Sequence, residues 1–418
     1  MNRVHFIGIG GVGVAGLAHL AADLGMRVSG SDLTESAMLP SLRARGIPIA
    51  IGHGQIPAGT ELVVHSTAVP EQDVERQEAR CLGIPQMRRG EFLNRVIAPH
   101  FPIRVAVAGS HGKSTTSAML RQFFLRFSPG YFVGARLLDS DRNAAVGAGR
   151  ILISEVDESD SSQDGFPATL AVVLNVEDDH AWSVGGEDAL HESFRRLAEG
   201  AEVVAWRTPV TQELFPQATF VDVPLECGLT GLHNRQNAAV ALTAAQLAVA
   251  QGMPAISREE CIAALESFPG IARRMSICRE TPNLVVLEDY AHHPTELAAL
   301  LEALREKYPR HRMHLVFQPH RLERVTRYGE QFAKLLSRCD WCGVLPPFGA
   351  WRTDGASVDV NHLLTDKITV PHQALTGEFG AMASAIVSSL SADAPTVLAI
   401  VGAGDVTKLT PLCLSLLP

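Results

Sequence analysis

The chain has no apolar run longer than a strand. The stretch 396–401, Thr-Val-Leu-Ala-Ile-Val, is typical, whereas a membrane span needs about 20 such residues. No membrane association is expected. Basic charge is not in excess either: Lys and Arg total 36 against 45 Asp and Glu, a net charge of −9. That balance argues against non-specific nucleic-acid binding. Cysteine is too sparse for a disulfide scaffold, with 7 in all, scattered from Cys81 to Cys413. An odd, dispersed set fits a reducing cytoplasm. Cys339 and Cys342 form a Cys-x-x-Cys without a second pair and read as structural thiols rather than a metal or redox centre. Arg3 followed by apolar residues loosely mimics a secretory leader, but Gly8, Gly10, Gly11, Gly13 and Gly16 interrupt the run. It reads as a strand and turn.

What is present is the composition of an α/β protein: 46% apolar and 19% charged residues over 418 positions, enough for two or three domains. Strand-like and helix-like runs alternate throughout, the pattern of parallel sheets wrapped by helices. Strands are expected at 4–9, 27–29 and 62–65, then at 104–108, 150–154, 171–175 and 202–206, and finally at 284–287, 314–317, 343–345 and 397–401. Pro-bearing joints near 97–102 and 268–272 divide the chain into segments 1–100, 101–271 and 272–418. There are no repeats and no low-complexity tracts.

The most informative motif is Gly109-Ser110-His111-Gly112-Lys113-Ser114-Thr115, entered from the apolar run 105–108 and followed by a helix-favouring stretch. Glycines let successive backbone N–H groups converge on a phosphate at the start of a helix. Lys113 would reach the terminal phosphates of ATP, and the Ser114 hydroxyl suits the Mg2+ that accompanies them. Only Ser110 and His111 separate the two glycines, a tighter loop than the common G-x-x-x-x-G-K-[ST] pattern. Two later strands end in acids: Glu155 with Asp157, Glu158 and Asp160 beyond it, and the run Asn175-Val-Glu-Asp-Asp-His180. Hard oxygens at a strand end beside a phosphate loop are the usual Mg2+ ligands, and His180 could complete a second metal site.

Other motifs are more ambiguous. Gly8-Ile-Gly10-Gly11-Val-Gly13, with Asp32 after the second strand, matches a fingerprint for a diphosphate-bearing nucleotide, not necessarily NAD. His233, Asn234 and Asn237 open a long Ala-rich helix, where they either cap it or read an adenine edge or a phosphate. In the last segment Arg273, Arg274, Asp289, His292, His293, His320, Arg321 and Arg324 lie at successive strand ends, on the carboxyl edge where ligands bind. Arg321 and Arg324 suit a carboxylate or phosphate.

Together and in this order, these motifs resemble those of the Mur ligases of peptidoglycan synthesis. The resemblance covers essentially the whole chain and implies three α/β domains: a Rossmann-like UDP-sugar domain at 1–100, a P-loop ATPase-like domain at 101–271 and a Rossmann-like amino-acid domain at 272–418. Phe317-Gln-Pro-His-Arg321 favours the member that joins L-alanine to the lactyl carboxylate of UDP-N-acetylmuramate. Carried over by position, Gly8, Gly10, Gly11, Gly13, Asp32, Ser66 and Thr67 belong to the UDP-sugar site. Gly109 to Thr115, His233, Asn234, Asn237, Arg274 and Asp289 contact ATP. Ser114, Glu155 and His180 hold Mg2+, and His292, Arg321 and Arg324 place the amino acid. The implied protein is a cytoplasmic monomer or homodimer.

The chain also departs from that pattern. Ala181-Trp-Ser-Val184 replaces an Asp and a Tyr after His180, and the stretch between Trp206 and His233 is short by about a strand–helix unit. Glu323 stands between the two arginines where a small hydroxyl residue is expected, and the loop 346–353 differs. A ligase with another acceptor, a non-catalytic paralogue and a nicotinamide dehydrogenase are the competing readings.

Overall fold

In the computed structural model of the protein, the described residues are 2–158, 160, 162–178, 184–349, 360–390 and 394–417. They form three sheets, each with its own helices.

The first sheet contains β1 (Arg3–Ile7), β2 (Arg27–Asp32), β3 (Ile49–Ile51), β4 (Leu62–His65) and β5 (Gln86–Arg88) in the order β3-β2-β1-β4-β5. All pairs are parallel. The chain moves outward from β1 through β2 and β3, then returns to the other side for β4 and β5. A crevice therefore opens at the carboxyl ends of β1 and β4, the place where such sheets bind ligands. Gly8 sits there at φ +76°, facing Ser66.

The second sheet contains β6 (Ile103–Ala108), β7 (Gly130–Phe132), β8 (Ala144–Ala145), β9 (Ile151–Glu155), β10 (Leu170–Val173), β11 (Glu202–Trp206) and β12 (Thr219–Val221). Its order is β12-β11-β10-β6-β9-β7-β8, parallel except for the β7–β8 pair. On one face the Ala-rich helix Leu232–Ala250 packs closely, burying Ala238, Ala241 and Ala245 against Val105, Val107 and Ile153. The other face shares one continuous core with the first sheet, running from Phe6 and Leu17 through Phe92, Phe101 and Phe132 to Phe194. Gly16 makes this possible: a Cβ there would lie 2.7 Å from a ring carbon of Phe132. Asn143 fastens the same contact by donating to Val12 O at 2.9 Å and Val133 O at 2.8 Å.

The third sheet contains β13 (Ser276–Glu280), β14 (Leu284–Asp289), β15 (Arg312–Phe317), β16 (Trp341–Val344), β17 (His372–Ala374) and β18 (Thr396–Val401). Its order is β13-β14-β18-β15-β16-β17, with only β13 antiparallel. Separate apolar clusters cover its two faces. The chain resolves into two compact units, residues 1–229 with 233–271, and 272–418 with 230–232. The first two sheets thus belong to one unit and the third to another.

All seven cysteines are free thiols. Cys339 and Cys342 are buried, and burial pushes both thiols up to about 12, which keeps them protonated and unreactive. Among the described residues no helix is long and apolar enough to cross a membrane.

Candidate active site

β6 runs directly into Gly109, at φ +141°, and the loop turns again at Gly112, at φ +86°, before the helix Lys113–Phe124 begins. Both angles favour glycine, and both positions are also crowded. A Cβ at Gly109 would lie 3.1 Å from the backbone of Asn175, and one at Gly112 would lie 2.7 Å from Asn237 Oδ1. Asn237, buried on the long helix, therefore packs against the loop. His233 and Asn234 occupy the first turn of that helix, half-buried.

Asn175, just past β10, clamps the loop from the other side. Its Oδ1 accepts from His111 N at 2.8 Å and its Nδ2 donates to His111 O at 3.1 Å, while its own carbonyl accepts from Ser110 N at 3.2 Å. Ser110 Oγ accepts from Glu177 N at 2.8 Å. The loop is thus held by backbone-directed bonds before any phosphate arrives. Asn175 was not among the candidate residues; its signal was its position at the strand end next to β6.

Lys113 is buried, with 8% of its surface exposed. Its ammonium donates to Gly109 O at 2.7 Å and faces Asp157 at 3.3 Å and Glu158 at 3.5 Å. Burial opposes the charge, but Asp157, Glu158 and Glu155 outweigh it and raise the pKa above the ordinary lysine value. Ser114 Oγ donates to Glu155 Oε2 at 2.7 Å, and the same oxygen accepts from Gly134 N at 2.7 Å. Thr115 follows in the first helical turn, half-buried. A hydroxyl and a carboxylate in contact beside a phosphate loop form a hard-oxygen pair that fits Mg2+. His180 lies outside the described residues.

In the first sheet the glycine-rich loop is closed by its own acid. Asp32 Oδ2 accepts from Gly10 N at 2.8 Å and Oδ1 from Thr34 N at 3.2 Å. Gly11 caps the helix Val12–Asp23, and Gly13 opens space for a side chain from elsewhere, since a Cβ there would overlap the Arg89 guanidinium. Arg89 continues to an ion pair with Asp160, which is buried. Asp160 is one of the acids that the sequence places beyond Glu155, but its partner Arg89 carries no motif of its own. Beyond β4, Ser66 Oγ accepts from Ala68 N at 3.2 Å. A cleft of about 730 Å³ extends from Thr67 and Arg88 to Glu158, Gln163 and Arg196. One of its walls, Glu158, is a partner of Lys113.

The second unit gathers its candidates at the carboxyl edge of the third sheet. Asp289, at the end of β14, accepts from Met275 N and Ala291 N, both at 2.8 Å. Burial pushes its pKa up, and Arg274 counters that. Arg274 is flanked by two non-glycine residues at positive φ, Arg273 at 60° and Met275 at 45°. Its guanidinium pairs with Glu296 at 3.2 Å, while Arg273 lies over the Tyr290 ring at 4.8 Å. Glu296 also reaches His292 Nδ1 at 3.2 Å. The His292 and His320 rings stand edge-on, 5.7 Å apart, and Arg324 Nη1 lies 3.4 Å from His320 Nδ1. Burial, then His292, Arg324, Arg321 and Arg273, push the His320 pKa down to about 3. This edge therefore carries a concentrated positive field around a neutral imidazole. Arg321 itself is at φ 70° and precedes the helix Leu322–Leu336.

Residues 3–100 match the family described as "Mur ligase family, catalytic domain", and residues 273–404 match "Mur ligase, glutamate ligase domain". A UDP-N-acetylmuramate–L-alanine ligase of Streptomyces coelicolor is 33% identical, over 98% of this chain and 96% of its own. The chain belongs to the Mur ligase family. A second relative of the same name, from Halorhodospira halophila, is 34% identical over 81% of this chain and 78% of its own. Among solved structures, the UDP-N-acetylmuramate–alanine ligase MurC of Thermotoga maritima superposes with a TM-score of 0.83, at 24% identity and covering 99% of both chains. That likeness establishes the fold of this Mur ligase as the three-domain α/β architecture expected from its sequence.

Proposed function

We propose that this Mur ligase joins L-alanine to the lactyl carboxylate of UDP-N-acetylmuramate at the expense of ATP, in the cytoplasmic part of peptidoglycan synthesis. The observation that carries the reading is the assembled set of Lys113, Ser114 and Glu155 at the phosphate loop. The name shared by relatives that align over nearly the whole chain supports the choice of substrates.

Segments 1–100, 101–271 and 272–418 take the UDP-sugar, the ATP and the amino acid in turn. The glycine loop from Gly8 to Gly13, with Ser66 and Thr67, borders the crevice for the UDP-sugar. The cleft from Thr67 to Glu158 leads its carboxylate toward Lys113. Ser114 and Glu155 hold Mg2+, which when bound neutralises charge on the transferring phosphate. Lys113 gives up Gly109 O and turns that N–H to the phosphate oxygens, while Asp157 and Glu158 keep its amine in place. The lactyl carboxylate then attacks the γ-phosphorus, the bond to the β-phosphate oxygen breaks, and ADP leaves. The amine of L-alanine attacks the resulting acyl phosphate, and phosphate departs with both electrons of the C–O bond. His292, Arg321 and Arg324 orient the amino acid through its carboxylate, so that positioning and fixed charge supply most of the acceleration.

The test is phosphate release from Mg·ATP with UDP-N-acetylmuramate and each common amino acid in turn. The reading expects release to require both the UDP-sugar and an amino acid, with L-alanine preferred. Release without the sugar, or with no amino acid supporting it, refutes the assignment.

A further inference from the structure

One chain of contacts joins the glycine-rich loop of the first sheet to the phosphate-loop lysine of the second. Arg89 begins the short helix Arg89–Phe92, and its guanidinium crosses Gly13, where a Cβ would overlap it. Beyond Gly13 it pairs with Asp160, which is only 3% exposed. Asp160 Oδ1 accepts from Ser162 N at 2.8 Å, and Ser162 Oγ accepts from Asp157 N at 2.8 Å. Asp157 and Glu158 face the Lys113 ammonium.

The same helix region grips this loop a second time. Asn94 Nδ2 donates to Ser162 O at 3.0 Å and Asp164 O at 3.1 Å. At Gly90 a Cβ would lie 2.8 Å from the Ser162 backbone nitrogen. Two glycines, Gly13 and Gly90, are therefore needed for close approach at one junction, beside any part Gly13 takes in the crevice for the UDP-sugar.

We propose that Arg89 is a positioning residue for the phosphoryl-transfer step, setting the place of Lys113 through Asp160, Ser162 and the Asp157–Glu158 pair. The physical reason lies in the buried carboxylate. Asp160 stays in the interior as an anion only while a cation matches it, because an unpaired buried charge is strongly destabilising. Without Arg89 it takes a proton or turns to water, and either change releases Ser162 N and with it the backbone of Asp157. Lys113 then loses the acids that hold its amine in line with the loop. Because Arg89 also lies across Gly13, any ligand that shifts the glycine-rich loop shifts the lysine as well. The inference rests on the proposed role of Lys113 in binding phosphate.

The experiment compares Arg89→Ala, Arg89→Lys, Gly13→Ala and the double variant Gly13→Ala with Arg89→Lys. Steady-state phosphate release should show kcat at least tenfold lower for Arg89→Ala and Gly13→Ala, with the KM for L-alanine within twofold of the unaltered protein. The narrower lysine should relieve its overlap with the methyl group that Gly13→Ala adds, so the double variant should recover activity relative to Gly13→Ala alone. A purely structural strut would share that rescue but would not give a loss confined to kcat. Amide hydrogen exchange reads the loop directly, whatever reaction is catalysed. Asp157, Glu158 and Ser162 should exchange at least tenfold faster in Arg89→Ala, while β14 and β15 are unchanged. Arg89→Gln, which removes the charge but keeps most of the length, carries this measurement if Arg89→Ala does not fold. Unchanged exchange at those three residues, or kcat within twofold of the original in folded Arg89→Ala, overturns the proposal. Absence of sugar-dependent phosphate release in the unaltered protein would instead count against the ligase assignment, leaving the exchange result to decide the role of Arg89.

Discussion

Ser114 and Glu155 meet at 2.7 Å, hydroxyl to carboxylate, although one begins a helix and the other ends a strand. Their meeting follows from the parallel pairing of β6 with β9, which brings the end of one strand beside the loop that follows the other. Gly134 completes the arrangement, since its N–H donates to the same carboxylate and a Cβ there would lie 2.6 Å from it. Sheet topology thus supplies a hard-oxygen pair beside Lys113, and the charge of that lysine is the first thing to test.

Lys113→Ala should lower ATP turnover by about 10²-fold or more, because a charge-stabilising group is lost from the transition state. The loss should appear in kcat with UDP-N-acetylmuramate and L-alanine saturating. Activity near that of the unaltered protein would remove Lys113 from the phosphate site.

The phosphate loop was legible in the sequence because its chemistry is contiguous: Gly109 to Ser114 is a short run after an apolar strand. Central strands were legible for a similar reason, since β6, β10, β15 and β18 are largely buried on both faces and read as mostly apolar runs, broken by Arg104 in β6 and by Arg312 and His314 in β15. The edge strands β3, β5, β12 and β17 were not foreseen. They are three residues long, half-buried to exposed, and stabilised by their one neighbour rather than by a pattern of their own. At the site, the Asn175 clamp and the Arg89–Asp160 pair join residues far apart in sequence. No local spacing announces them. The spacing of Gly8 to Gly13 suggested only a nucleotide fingerprint, whereas the structure also gives Gly13 to the Arg89 side chain.

The first sheet should bind a UDP-sugar and not NAD. Asp32, which a dinucleotide reading assigns to a ribose, is engaged by the N–H groups of Gly10 and Thr34. Titration calorimetry should therefore give a measurable heat with UDP-N-acetylmuramate and none with NAD. Micromolar NAD affinity without any response to the UDP-sugar would reverse the assignment.

Acid should weaken the protein through His19. This residue is fully buried, and burial, with Arg45 and Arg142, pushes its pKa from 6.5 down to about 4. Arg45 Nη1 lies 3.2 Å from Nδ1, a geometry that suits the neutral ring with Nδ1 as acceptor. The unfolded chain takes up this proton near pH 6.5 and the folded one only near 4. The stability held by the neutral ring is thus complete above about 6.5 and is lost as pH falls from there toward 4. The Tm of His19→Gln should decline less steeply over that window. Parallel declines would mean that other groups govern the acid limb.

Glu323 places a negative charge in the sequence between the two arginines proposed to hold the amino-acid carboxylate. In the structure it lies in the first turn of the helix Leu322–Leu336, half-buried, while Arg324 is buried beside His320. An acid in a first helical turn is favoured by the helix dipole, by about 0.3–1 kcal/mol. That is reason enough for a glutamate at this position without any part in acceptor recognition. Glu323→Ser should accordingly leave the KM for L-alanine within twofold while lowering stability by about the dipole contribution. If Glu323 instead faces the acceptor, its removal frees the arginines, and the KM should fall several-fold. In that case a larger or cationic amino acid becomes the better substrate, and the acceptor assay would show it directly.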